Sequence, residues 1–97
     1  MISHLVLFRL KPGVSRQDPR VAAAVAALAG LPAKISSITA WDHGFNQTED
    51  ADAWDYGLRA GFASTADLHA YFEHPAHLPV LAQWNDVADL AFADFGA

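Results

Sequence analysis

Residues 2–11, Ile-Ser-His-Leu-Val-Leu-Phe-Arg-Leu-Lys, read as a strand that is apolar on both of its faces. Period-two alternation puts Ile2, His4, Val6, Phe8 and Leu10 on one side. Leu5 and Leu7 take the other side before it turns charged at Arg9 and Lys11. Strands of this kind sit centrally in a sheet and are covered from two directions. A chain of 97 residues has a modest core of its own, so a strand that needs two covers constrains the whole fold.

The remaining elements follow from their punctuation. Pro12-Gly13 breaks the first strand, and Asp18-Pro19 opens a helix with an N-cap aspartate and a proline at its first position. Val21, Val25 and Leu28 recur at helical spacing before Gly30 and Pro32 end the run. A second strand is expected over 34–45 and a third over 53–63, joined by the polar loop 46–52 into a hairpin with a long tip. In the third strand Trp54, Tyr56, Leu58, Ala60 and Phe62 share one face. Ser64 caps a second helix, with Asp67 placed for a capping-box-like pair, and Pro75 stops it. A short helical segment at about 79–84 leads to a last strand over 86–95.

The order β-α-β-β-α-β predicts an α+β fold, a ferredoxin-like subunit with both helices on one face of an antiparallel sheet, and one domain over residues 1–97. The second apolar face then calls for another cover, most simply a second copy in a symmetric dimer packed sheet to sheet.

Charge and composition exclude several functions. The formal net charge is −5, and the six basic residues are scattered, which argues against nucleic acid and anionic membrane partners. With no cysteine there is no disulfide, thiolate metal site or cysteine nucleophile. The first strand pattern begins almost at Met1 with no basic leader, and no apolar run is long enough to span a bilayer, so a cytoplasmic protein is expected.

The chemistry-bearing residues gather in Tyr71-Phe72-Glu73-His74-Pro75-Ala76-His77. Tyr71 closes a helix and His77 follows the proline turn, so the two can share a pocket, with His77 as general base and Tyr71 as hydrogen-bond donor to an oxyanion. The same spacing also suits two side chains that merely pin the turn. His4 on an apolar strand face needs a partner or a cavity. Asp94 near the last strand's end either orients an imidazole or lies exposed. His74-x-x-His77 has neither the i, i+4 helical spacing nor a third ligand, so no metal site is expected. His43 and His69 read as surface residues, and the aromatic set that includes Phe92 reads mostly as core.

Three segments together resemble the stress-responsive A/B barrel (Dabb) family: Met1-Ile2-x-His4-Leu5-Val6-Leu7-Phe8, Gly44 with Asn46, and Tyr71-x-x-His74-Pro75-x-His77. The resemblance covers essentially the whole chain. It implies a dimeric α+β barrel, two ferredoxin-like subunits packed sheet to sheet, with no cofactor and a small apolar or polyketide-like ligand. Some members are polyketide cyclases that close a linear thioester by aldol condensation. The resemblance to these makes His77 the base and Tyr71 the enolate donor, with His4, Val6, Phe8 and Asp94 around the pocket. Other members have no established reaction, and cofactor-independent monooxygenases share the barrel but match the motif less well. The first helix departs from the cyclase pattern: Val21-Ala22-Ala23-Ala24-Val25-Ala26-Ala27-Leu28 carries no aromatic, which implies a pocket of different shape.

Overall fold

The computed structural model describes residues 1–96. Strands β1 (Ile2–Leu10), β2 (Ile38–Phe45), β3 (Tyr56–Phe62) and β4 (Ala88–Gly96) form one sheet in the order β2-β3-β1-β4. Every neighbouring pair is antiparallel. Helices α1 (Pro19–Ala29), α2 (Thr65–Glu73) and α3 (His77–Val87) contribute the other buried surfaces. This is the ferredoxin-like fold expected, with one helix longer than foreseen.

The helix starts follow from local chemistry. The Asp18 side chain accepts from the Arg20 backbone N–H at 2.9 Å, and Pro19 takes the first turn at no cost in hydrogen bonds. The hydrogen bonds from Arg20 also hold the half-buried Asp18 carboxyl below its ordinary pKa. Ser64 Oγ accepts from the Asp67 N–H at 3.1 Å and caps α2. After β1 the chain turns through Gly13 at φ +83°, a conformation that disfavours a side chain.

Several boundaries differ from the sequence reading, among them the last strand, which begins at Ala88 rather than residue 86 because α3 runs on to Val87. The second strand starts at Ile38 rather than residue 34, because Lys34 and Ile35 both donate to the Leu31 carbonyl in a 3₁₀ turn. The third starts at Tyr56 rather than residue 53. Just before it, Asp55 donates its N–H to Phe8 and its carboxylate accepts from Leu10, so it braces β1 without joining the ladder. The third helix runs from His77 to Val87 rather than from Pro79 to Trp84. Pro79 fits its first turn because backbone N–H groups there lack partners in any case.

The core lies between the sheet and the helices. Val6 and Phe8 of β1, with Tyr56, Leu58, Ala60 and Phe62 of β3, are buried against Val21, Ala24 and Leu28 of α1, and against Tyr71, Val80 and Trp84. Ala24, rather than Val25, is the fully buried middle position of α1. The opposite face of the sheet is open: Leu5 is 36% and Leu7 51% exposed, as the two-sided pattern of β1 foreshadowed. Phe92, one of an aromatic set expected mostly in the core, is 66% exposed on the edge strand β4, beyond which no further strand lies. Among the described residues no helix is long and apolar enough to cross a membrane.

Candidate functional site: an apolar cavity with a polar corner

The site begins with a break in the helix layer. His74 ends α2 in an extended conformation (φ −65°, ψ 134°), as a residue before proline prefers, and α3 begins at His77. Four hydrogen bonds fasten the turn. The His74 N–H donates to Tyr71 at 3.1 Å, and the His74 carbonyl accepts from the His77 N–H at 2.9 Å and from the Leu78 N–H at 3.3 Å. The His74 side chain adds the fourth, with Nδ1 accepting from the Ala76 N–H at 3.0 Å. His74 is therefore the hub that links the end carrying Tyr71 to the end carrying His77.

Tyr71 and His77 meet across this turn with ring centroids 4.3 Å apart. The Tyr71 ring is buried beside Phe62, and burial pushes its hydroxyl pKa well above the ordinary value. The phenol stays protonated at any physiological pH and is a donor rather than a base. His77 is half-buried, and its Nδ1 donates to the Phe72 carbonyl at 3.2 Å. Burial lowers its pKa; the bond to Phe72 opposes that shift, and the charges of His4 and His74 reinforce it. The neutral imidazole has its Nε2 lone pair free.

His4 approaches from the sheet. It is buried on β1, directly opposite Asp94 in the β1–β4 register, and its Nδ1 pairs with the Asp94 carboxylate. The His4 ring lies edge-on to Tyr71 at 5.9 Å and to Phe72 at 5.3 Å. Asp94 thus orients an imidazole, but that imidazole is His4 and not His77. The cause is register, which sets cross-strand partners without regard to distance along the chain.

These side chains border a cavity of about 250 Å³. Its polar corner is His4, Tyr71 and His77. The sheet supplies apolar walls through Val6, Phe8, Leu58, Leu90 and Phe92, and α3 supplies Val80, Leu81 and Trp84. Leu28 is the one contribution of α1 among the lining residues, as an alanine-rich helix allows. The Tyr71 hydroxyl and the two Nε2 atoms make no hydrogen bond among the described residues, and none of the three is sealed from solvent. The three residues that carry them all line the cavity. No lysine, arginine, aspartate or glutamate is among the lining residues.

Of the residues singled out in the sequence, His77, Tyr71, His4, Val6 and Phe8 come together here, and Asp94 acts from behind His4. Trp84 belonged to the aromatic set of which part was expected to line a cavity, whereas Val80 and Leu90 carried no sequence signal beyond an apolar pattern. His43 is not the free surface residue expected: it is half-buried and its Nδ1 bonds the Tyr56 hydroxyl at 2.5 Å. Among the described residues no group of three or more potential ligands could hold a metal ion.

The four-stranded antiparallel sheet with its helices places the chain among the small ferredoxin-like α+β proteins. Comparison with known families makes the assignment specific: the chain belongs to the Stress responsive A/B Barrel Domain (Dabb) family, which it matches over residues 2–96. It is 37% identical over 95 residues to an uncharacterized protein of Streptomyces coelicolor, covering 98% of each chain. Among solved structures, a dimeric ferredoxin-like protein of unknown function from Thermobifida fusca is similar at 27% identity and a TM-score of 0.86, over 99% of this chain and 90% of that one. A hydroxynitrile lyase from Passiflora edulis shares the fold at 18% identity and a TM-score of 0.83, over 97% of this chain and 90% of that one.

Two outcomes are expected from this geometry. His74→Ala removes the acceptor for the Ala76 N–H and costs about 1 kcal/mol in urea unfolding at fixed protein concentration. His74→Asn, whose side-chain oxygen accepts at the same i+2 position, retains most of that stability. Equal losses in the two variants would contradict the hub role. The lowered pKa of His77 predicts a pH effect of defined sign. As pH falls below about 6.5 the unfolded chain takes up the proton before the folded one, so stability drops. The melting temperature of wild type should therefore fall more steeply than that of His77→Gln between pH 7 and pH 5.5, and parallel curves would contradict the shift.

Proposed function

We propose that this protein binds a small, uncharged, largely apolar molecule in the cavity beneath its helices, and that it does so as a homodimer packed through the open sheet face. The observation that carries the binding reading is the set of three polar residues, each with an unpartnered side-chain atom, that line an otherwise apolar space. Ligand sites combine an apolar lining with a few convergent polar groups in this way. At about 250 Å³ the space lies just below the ~300–1,000 Å³ usual for drug-sized ligands. An anionic ligand finds no lysine or arginine there. The exposed Leu5 and Leu7, and the dimeric state of the related Thermobifida fusca protein, support self-association.

A second reading is catalytic, and the neutral His77 beside a protonated Tyr71 favours it. In a cofactor-independent, polyketide cyclase-like reaction, His77 Nε2 takes a proton from a carbon between two carbonyls. The electron pair left behind forms an enolate, whose oxygen accepts a hydrogen bond from Tyr71. The enolate carbon attacks a second carbonyl, and the new alkoxide recovers the proton from His77.

Each reading has its test. With a poly-β-keto thioester, the catalytic reading expects ring closure in wild type. His77→Ala should lose at least ~10²-fold in rate and Tyr71→Phe a comparable factor, with both variants folded. No ring closure in wild type, or equal rates in wild type and His77→Ala, would leave binding alone. For the dimer, sedimentation at micromolar concentration should show two subunits in wild type and one in Leu7→Asp. A monomeric wild type would overturn the sheet-face interface.

A further inference from the structure

The bonds made by each polar group at the corner fix which atoms carry hydrogen. A backbone carbonyl only accepts, so Nδ1 of His77, bonded to the Phe72 carbonyl at 3.2 Å, must be the protonated nitrogen. The Asp94 carboxylate likewise accepts from Nδ1 of His4. A neutral imidazole protonated at Nδ1 presents Nε2 as an acceptor. With both imidazoles neutral, each therefore keeps a lone pair on Nε2 in a residue that lines the cavity, and the Tyr71 hydroxyl offers the one hydrogen at this corner.

We infer that the natural ligand is rich in donors: it brings two polar hydrogens, such as hydroxyls, to Nε2 of His4 and Nε2 of His77, and one acceptor oxygen to Tyr71. This rests on the cavity being a binding site and narrows what fits it. A ligand with a lone carbonyl would satisfy Tyr71 and leave two imidazole acceptors unpaired in apolar surroundings, which is unfavourable. His4 is then a ligand-binding residue in its own right. Asp94 is its positioning residue, holding the tautomer that keeps Nε2 free. The cross-strand pairing of His4 with Asp94 ties that tautomer to the β1–β4 register.

The three benzenediols and their monomethyl and dimethyl ethers separate the possibilities, because methylation removes a hydrogen while adding apolar surface. Titrated into the whole protein at pH 8, at least one diol should bind roughly tenfold or more tighter than its dimethyl ether, with the monomethyl ether between them. In His4→Phe the advantage of that diol over its monomethyl ether should vanish. Imidazole ¹⁵N spectra of unliganded wild type provide a measurement that needs no variant, and Nε2 of both His4 and His77 should be unprotonated at this pH. Ethers that bind as tightly as diols, or a hydrogen on either Nε2, would overturn the inference and leave the cavity a binding site. Failure of every diol and ether to bind wild type at millimolar concentration would overturn both.

Discussion

Pro75 cannot continue α2, and it drives His74 into the extended conformation that lets the chain restart as α3 two residues later. Everything at the site depends on that break. A continuous helix would carry the chain past the sheet with Tyr71 and His77 on unrelated faces. The break folds the end of one helix against the start of the next, and His74 holds the turn with its N–H, its carbonyl and its side chain. The Phe72 carbonyl, freed where the helix ends, then accepts from His77 and fixes its tautomer. One helix-breaking residue thereby places a donor and a base side by side and leaves both without protein partners on the cavity side.

The second constraint comes from the sheet. β1 lies between β3 and β4, so each inward residue has one neighbour fixed on each side: His4 faces Ala60 in β3 and Asp94 in β4. The small neighbour leaves room, and the acidic one provides a partner for an imidazole whose burial would otherwise be costly. The same strand directs Leu5 and Leu7 to the face the helices do not cover. Site and proposed interface are thus two sides of one strand.

Much of this was legible in the chain. Alternation and caps identified four strands and the first two helices, because Asp18-Pro19 and Ser64 act through local bonds that a sequence displays directly. The sequence also pointed to Tyr71, His77 and His4. Several features were not legible, for reasons of geometry. The Asp94–His4 pair spans ninety positions and exists only through strand register. The early start of α3 was obscured because Pro79 looks like a first residue yet is equally at home later in the first turn. Residues 34–37 look like strand by composition, but the Lys34 and Ile35 N–H groups are committed to Leu31 in the 3₁₀ turn after α1. His43 looks exposed beside Gly44, and only the β2–β3 register brings it to Tyr56. The cavity itself was not legible because its walls come from β1, β3, β4, α2, α3 and a single α1 residue, Leu28, which only the tertiary fold brings together.

The central claim is that this space is preformed, apolar and open to a ligand. A crystal of the unliganded protein pressurised with xenon tests it directly, because xenon settles in apolar cavities with no help from hydrogen bonds. Xenon density between His77 and Trp84, with Tyr71 and Phe8 unmoved, is the predicted result. A pocket region free of xenon, with Phe72, Leu90 and Phe92 collapsed onto Trp84 to fill it, would contradict the account.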